Sequence, residues 1–153
     1  YADAEEFATD YIENLFTHWS PSKSLHLDLI LQEIRKVASL DAVLGDPKEV
    51  ETAITRSFVK LGLMQIEKDV YIKAEVNPES VTTSQTGAIS RDKRAWMRVN
   101  VPFTLSVYYN EDTTVQSYEA EILVVRRFKE TEDDSGFAVW GLSVASVTEP
   151  DGI

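Results

Sequence analysis

From Met97 to Tyr109 the chain reads MRVNVPFTLSVYY, and every second residue is apolar: Met97, Val99, Val101, Phe103, Leu105, Val107 and Tyr109. Arg98, Asn100, Thr104 and Ser106 stand between them. Side chains alternate across a strand, so this period demands one face on a core and the other towards solvent or a partner. The run is a half-buried β-strand. What its second face does, whether pocket, docking surface or plain solvated side, is the functional question the sequence poses.

The covering layer is written in the first third. Phe7, Tyr11, Ile12, Leu15, Phe16 and Trp19 make one helical stripe, with Asp3, Glu5, Glu6, Asp10 and Glu13 around it. SPSK at 20–23 interrupts that helix. A second helical stretch, from Leu25 to about Leu44, carries Leu27, Ile30, Leu31, Ile34, Val37 and Ala38. The third is announced by Asp46 as N-cap, Pro47 at the first helical position and Glu49 closing a capping box. Its stripe is Val50, Ile54, Phe58 and Leu61, and Gly62 stops it.

From Leu63 the period changes to two. Val70, Ile72, Ala74 and Val76 alternate with Tyr71, Lys73 and Glu75 before NPES breaks the run. VTTSQTGAIS, across 80–90, is compatible with a strand or a loop. SRDK and NEDT read as turns on either side of the long strand, with further strands at Gln116–Phe128 and Phe137–Val147. In the first of these Leu123, Val124 and Val125 are consecutive, so both of its faces want burial. Helices followed by an antiparallel meander predict one α+β domain over 1–153: a helical layer over about 1–62 on the concave face of a strongly curved sheet of about four strands over about 63–148. Pro102 marks a bend, a bulge or an edge, because proline cannot donate to a ladder.

The search for chemistry returns little. With no cysteine and two histidines, His18 and His26, spaced eight apart, the chain offers no metal-ligand pattern. Its six glycines form no phosphate cradle, and no cofactor is expected. A formal net charge of −11 repels phosphate backbones, so no direct nucleic-acid contact is expected. ETEDD at 130–134 reads as a solvated loop, lacking the alternating acids and glycine of a calcium loop. Arg91, Lys93, Arg94 and Arg98 are balanced by Glu119 and Glu121 on the next strand. Trp96, Tyr108 and Tyr118, grouped with polar neighbours on one sheet face, have the composition of a protein-binding patch, and Arg98 joins them.

Trp96, the Val101-Pro102 strand, a tyrosine-bearing strand end, ILVVRR at 122–127, Gly136 and a closing apolar strand follow one another in an order that resembles the periplasmic domain of the DotI/IcmL/TraM family, inner-membrane subunits of type IVB secretion and conjugation machines. WMRVNVP and LVVRR carry the likeness, over about residues 88 to 148. The resemblance implies a nuclear-transport-factor-like fold, a membrane span upstream of Tyr1, a place on the periplasmic face of the bacterial inner membrane, and a non-catalytic scaffold role. It also implies assembly, as homo- or hetero-oligomer, with other secretion or conjugation subunits. The alternative reading is a small-molecule binder or isomerase/dehydratase-like enzyme using the cone-shaped pocket of the same fold. It requires a buried carboxylate or histidine, and the inward set from Met97 to Tyr109 has no ionisable group but Tyr109.

Overall fold

A computed structural model of the chain describes residues 2–19, 47–60, 70–88, 94–109, 111–127, 132 and 136–147. Helix α1 is Ala2–Phe16, strand β1 is His18–Trp19 and helix α2 is Pro47–Lys60. Strands β2 (Tyr71–Val76) and β3 (Thr82–Ala88) flank a 3-10 turn at Pro78–Ser80; β4 is Ala95–Tyr109, β5 Asp112–Arg126 and β6 Phe137–Ser146. The expected second helix at 25–44, the cap at Asp46 and the stop at Gly62 lie outside the described residues.

All six strands join one sheet in the order β1-β2-β4-β5-β6, with β3 also on β4, and every pairing is antiparallel. The fold is thus α+β, as the order of helical and alternating segments predicts, but the sheet has six strands rather than about four, because His18–Trp19 and Thr82–Ala88 also join it. β2 and β3 run along the same side of β4, pairing with Phe103–Tyr108 and Ala95–Asn100 respectively. They behave as one strand interrupted at 77–81, where Asn77 Oδ1 accepts from the Glu79 N–H and caps the turn. The 80–90 stretch, open between strand and loop from its composition, is therefore mostly strand.

Pro102 stands opposite that interruption. Ala74 N donates to Thr17 Oγ1 rather than to β4. Ladder bonds alternate in direction, so even-numbered residues of β4 turn their backbone groups towards β2 and β3. Neither strand pairs with residue 101 or 102, so the N–H that proline lacks has no partner waiting for it.

The period-2 run does what it requires. Met97, Val99, Val101, Phe103 and Leu105 are buried on the inner face with Ile72, Ala74, Ala120, Ile122 and Val124. Helix α1 covers β2, β4 and β5, and α2 lies on β6. Ala4, Ala8, Tyr11, Ile12, Leu15 and Phe16 from α1, and Val50 and Ile54 from α2, complete the core. Phe16 stacks on Phe103 at 5.3 Å between ring centroids and Phe103 meets Tyr118 at 5.7 Å, an aromatic line from helix to sheet. Each fully buried Val or Ile here contributes roughly 1.5–3 kcal/mol relative to exposure.

Two boundaries differ from expectation. Helix α1 stops at Phe16 and not after Trp19, because Thr17 caps the β2 edge and His18–Trp19 pair with Tyr71 and Ile72. Strand β5 starts at Asp112 and not at Gln116, since the ladder with β4 runs unbroken to the Tyr109–Asp112 pair and leaves only two residues for the turn. At the other end, Gly136 holds φ 76° before β6, a left-handed conformation that suits glycine, and its carbonyl accepts from Arg127 N at 2.9 Å.

Buried hydroxyls are mostly satisfied: Thr9 Oγ1 donates to the Glu5 carbonyl at 2.8 Å and Ser57 Oγ to the Ala53 carbonyl at 3.0 Å. Tyr11 is the exception. Its hydroxyl is buried without a hydrogen-bond partner, and burial pushes its pKa well above the usual tyrosine value. A buried unpaired polar group costs roughly 1–3 kcal/mol, so Tyr11→Phe should stabilise the chain by about 1 kcal/mol in chemical denaturation. A loss of stability would mean that the hydroxyl is satisfied in solution.

Candidate functional site: the outer face of the sheet

The second face of β4 presents Trp96, Arg98, Asn100, Pro102, Thr104, Ser106 and Tyr108. Strand register turns that list into a surface. At one end lies the row Gly87, Trp96, Val125, Ala138. Next come Gln85, Arg98, Leu123 and Gly141, then Asn100, Glu121 and Ser143, then Pro102, Glu119 and Ala145. The opposite end holds Lys73, Ser106 and Val115, followed by Tyr71, Tyr108 and Thr113. The face is apolar at one end, charged in the middle and aromatic at the other.

Consecutive burial in β5 follows from this layout. Val124 belongs to the inner core, while Val125 and its partner Ala138, both at 0% exposure, are buried on the outer side. Trp96 closes the same row by lying over Gly87: a Cβ built on that glycine would come 2.6 Å from the indole. Glycine is required there for close approach.

In the middle, Arg98 Nε lies 3.3 Å from Glu121 Oε1, in ion-pair range but without the alignment of a hydrogen bond. The pair is diagonal, Arg98 standing opposite Leu123 and Glu121 opposite Asn100. The expected balance between the basic cluster and the β5 acids is thus present for this pair; Arg91 and Lys93 lie outside the described residues. Both side chains are more than a third exposed, so the pair contributes less than about 1 kcal/mol. Lys73 and Glu75 pair at 3.3 Å, and Glu75 raises the lysine's pKa by hydrogen bond and charge. Tyr71 and Tyr108 stack at 6.0 Å between centroids, with Tyr108 39% and Val115 57% exposed.

Tyr118 is not on this face. It pairs with Phe103, is 6% exposed, and packs against that ring within the core; burial raises its pKa and its hydroxyl donates to Gln116 Oε1. The grouping of Trp96, Tyr108 and Tyr118 on one surface is corrected accordingly: the first two share the outer face, and the third lies in the core on the inner face. Tyr71 takes its place beside Tyr108, a neighbour that only the β2–β4 register reveals.

Among the described residues no group of three or more His, Asp or Glu side chains is placed to hold a metal. A groove of about 510 Å³ runs along α2, lined by Lys48, Glu51, Thr52, Thr55 and Arg56, outside the inner face of the sheet. What the outer face offers is a broad wall of aromatic, aliphatic and paired charged groups. That is the chemistry of protein contact.

No family model matches the chain, and no curated protein matches its sequence. Solved structures do match its fold. A periplasmic fragment of TraM superposes with a TM-score of 0.67 at 13% identity, covering 95% of this chain and 96% of that one. The periplasmic domain of DotI gives 0.64 at 13% identity, covering 93% and 92%. CagV from Helicobacter pylori, a VirB8 homologue of a type IV secretion system, gives 0.59 at 14% identity, covering 97% and 100%. The expected likeness to the periplasmic domains of TraM and DotI is therefore present in the fold, which is nuclear-transport-factor-like.

The Trp96–Gly87 contact makes a specific prediction. Gly87→Ala forces the indole aside and should cost about 1–3 kcal/mol, as overpacking does. In a Trp96→Ala background the same change should cost little, so a double-mutant cycle by urea denaturation measures the contact. Equal costs in both backgrounds would mean that the indole does not occupy this position.

Proposed function

We propose that this chain is the periplasmic part of an inner-membrane subunit of a type IV secretion or conjugative transfer machine, acting as a non-catalytic scaffold. The observation that carries the reading is the fold likeness, along more than nine-tenths of the chain, to periplasmic domains of TraM and DotI and to a VirB8 homologue of a type IV secretion system. The outer face supports it, with Trp96, Arg98 and Tyr108 as its contact residues. In this reading the helical layer and inner face hold the shape, and the wall opposite them is applied to another subunit.

The anchor and compartment belong to the same proposal. Among the described residues no helix is long and apolar enough to cross a membrane, so a span would lie outside them. Fractionation of the gene product containing this chain should place it in the inner membrane after carbonate extraction. Protease added from the periplasmic side should then digest this domain. Recovery in the soluble cytoplasm would overturn the proposal.

The contact residues are tested separately. Arg98→Glu and Tyr108→Ala alter partly exposed side chains outside the core and should change stability by no more than about 1 kcal/mol. Each should nevertheless reduce co-purification of the other subunits with the full-length protein. Undiminished co-purification would take these two residues off the interface.

A further inference from the structure

We propose that the outer face receives an amphipathic helix of a different protein, whose apolar stripe carries a lysine or arginine at its centre to meet Glu119. This deepens the reading of the face as a protein contact, and rests on it, by naming the chemistry of the partner.

Five large apolar side chains are exposed among the described residues, and four of them, Tyr108, Val115, Trp140 and Val147, belong to this one face. Their places follow from register. Val115 stands opposite Ser106 and Leu123 opposite Arg98, so both turn outward from β5 with Glu119 midway between them. Val147 N donates to the Ser117 carbonyl at 3.0 Å, which sets Val147 beside Ser117 on the same side. Trp140 and Gly141 both oppose Leu123 at the bulge. Strands β5 and β6 thus carry two apolar ends, Val115 with Val147 and Leu123 with Trp140, on either side of one carboxylate.

That carboxylate selects the occupant. Lys73 is engaged by Glu75, and Arg98 by Glu121. Among the described residues no cation pairs with Glu119, whose cross-strand neighbours are Pro102 and Ala145. A partner that covered both apolar ends without a cation between them would bury the charge unpaired, which is costly. The surrounding field acts in the same direction. Acids flank β6 along the chain, Glu130, Glu132, Asp133 and Asp134 before it and Glu149 and Asp151 after it, against Lys129. The two arginines that close β5 are turned to Phe137, Arg126 over its ring and Arg127 to its carbonyl. With −11 overall, the chain attracts a cationic segment and repels a second copy.

The dimensions suit a helix. Sheet faces are covered by helices in layered folds, and four residues of strand, about 13 Å, separate Glu119 from Val115 and from Leu123. About nine helical residues span that distance, so about five turns reach both apolar ends. An apolar stripe with one cation near its middle then meets all three places.

A photoreactive amino acid placed at Val147, and separately at Trp140, in the full-length protein tests this. It should join to a helix-forming segment of another protein with Lys or Arg within its apolar stripe. Glu119→Arg should cut the crosslinking yield at least about tenfold. Glu119 is exposed, so the melting temperature should hold. If Glu119→Arg fails to fold, Glu119→Gln decides, with a smaller loss in the same direction. Changing the crosslinked lysine or arginine to glutamate should restore the yield with Glu119→Arg, and the wild-type yield should fall as salt rises. Crosslinks only to a second copy or to lipid, to a segment without a cation, crosslinks indifferent to Glu119, or none at all would each overturn the proposal. A basic helix from a protein outside any secretion machine would uphold it and overturn the scaffold role. An acidic or extended segment of a secretion subunit would do the reverse.

Discussion

The register of β4 is the constraint on which the rest of the structure depends. Fourteen of its residues, Trp96 to Tyr109, pair with β5, while its other side pairs with β2 and β3. A slip of one residue in either ladder would send Val99, Val101 and Phe103 to the outer face and bring Arg98 and Asn100 against α1. Neither arrangement is tolerable, because buried charge without a partner is far more costly than any single ladder bond. The apolar alternation therefore fixes the pairing, and the pairing fixes which residues of four other strands share a face.

Departures from regular pairing are placed where that constraint permits them. Ser84 and Trp140 are each an extra residue in a ladder, and the 77–81 turn is an insertion opposite Val101 and Pro102. In β6 the slip reverses the phase of burial. Phe137 and Val139 are buried before it, Leu142 and Val144 after it, so a strand whose apolar residues break step still lines the core throughout. The cost is a tryptophan left 43% exposed at the slip. Bulges also bend and twist a sheet, consistent with the curvature of this fold class.

How much of this was legible from sequence depends on how local each cause is. The β4 alternation, the break at NPES and the stripe of α1 are set by neighbours a few residues apart, and all were readable. The end of α1 was not, because Thr17 leaves the helix to accept a bond from Ala74, 57 residues further on. The inner position of Tyr118, in contrast, has a local cause. The alternation of Tyr118, Ala120 and Ile122 with Glu119 and Glu121 already places Tyr118 on the inner face, and the Phe103–Tyr118 pairing agrees with it. Of the outer face, β4's own contribution of Trp96, Arg98 and Tyr108 was visible, whereas Tyr71, Val115 and the Gly87 seat of the indole required a register between distant segments.

The same distinction bears on what the likeness to solved structures carries. At 13% identity a fold is retained through the pattern of burial and pairing, since few individual side chains can be held in common. That pattern occupies the inner face: the alternation of β4, the aromatic line from Phe16 through Phe103 to Tyr118, and the stripe of α1. The outer face is free of those requirements except in the row Gly87, Trp96, Val125 and Ala138, where close packing makes its own demand. Paired charges such as Arg98–Glu121 add little to stability at their exposure, so packing does not dictate their placement. Under the proposed scaffold role, this chain's choice of partner is therefore written mainly in the residues that its fold least requires.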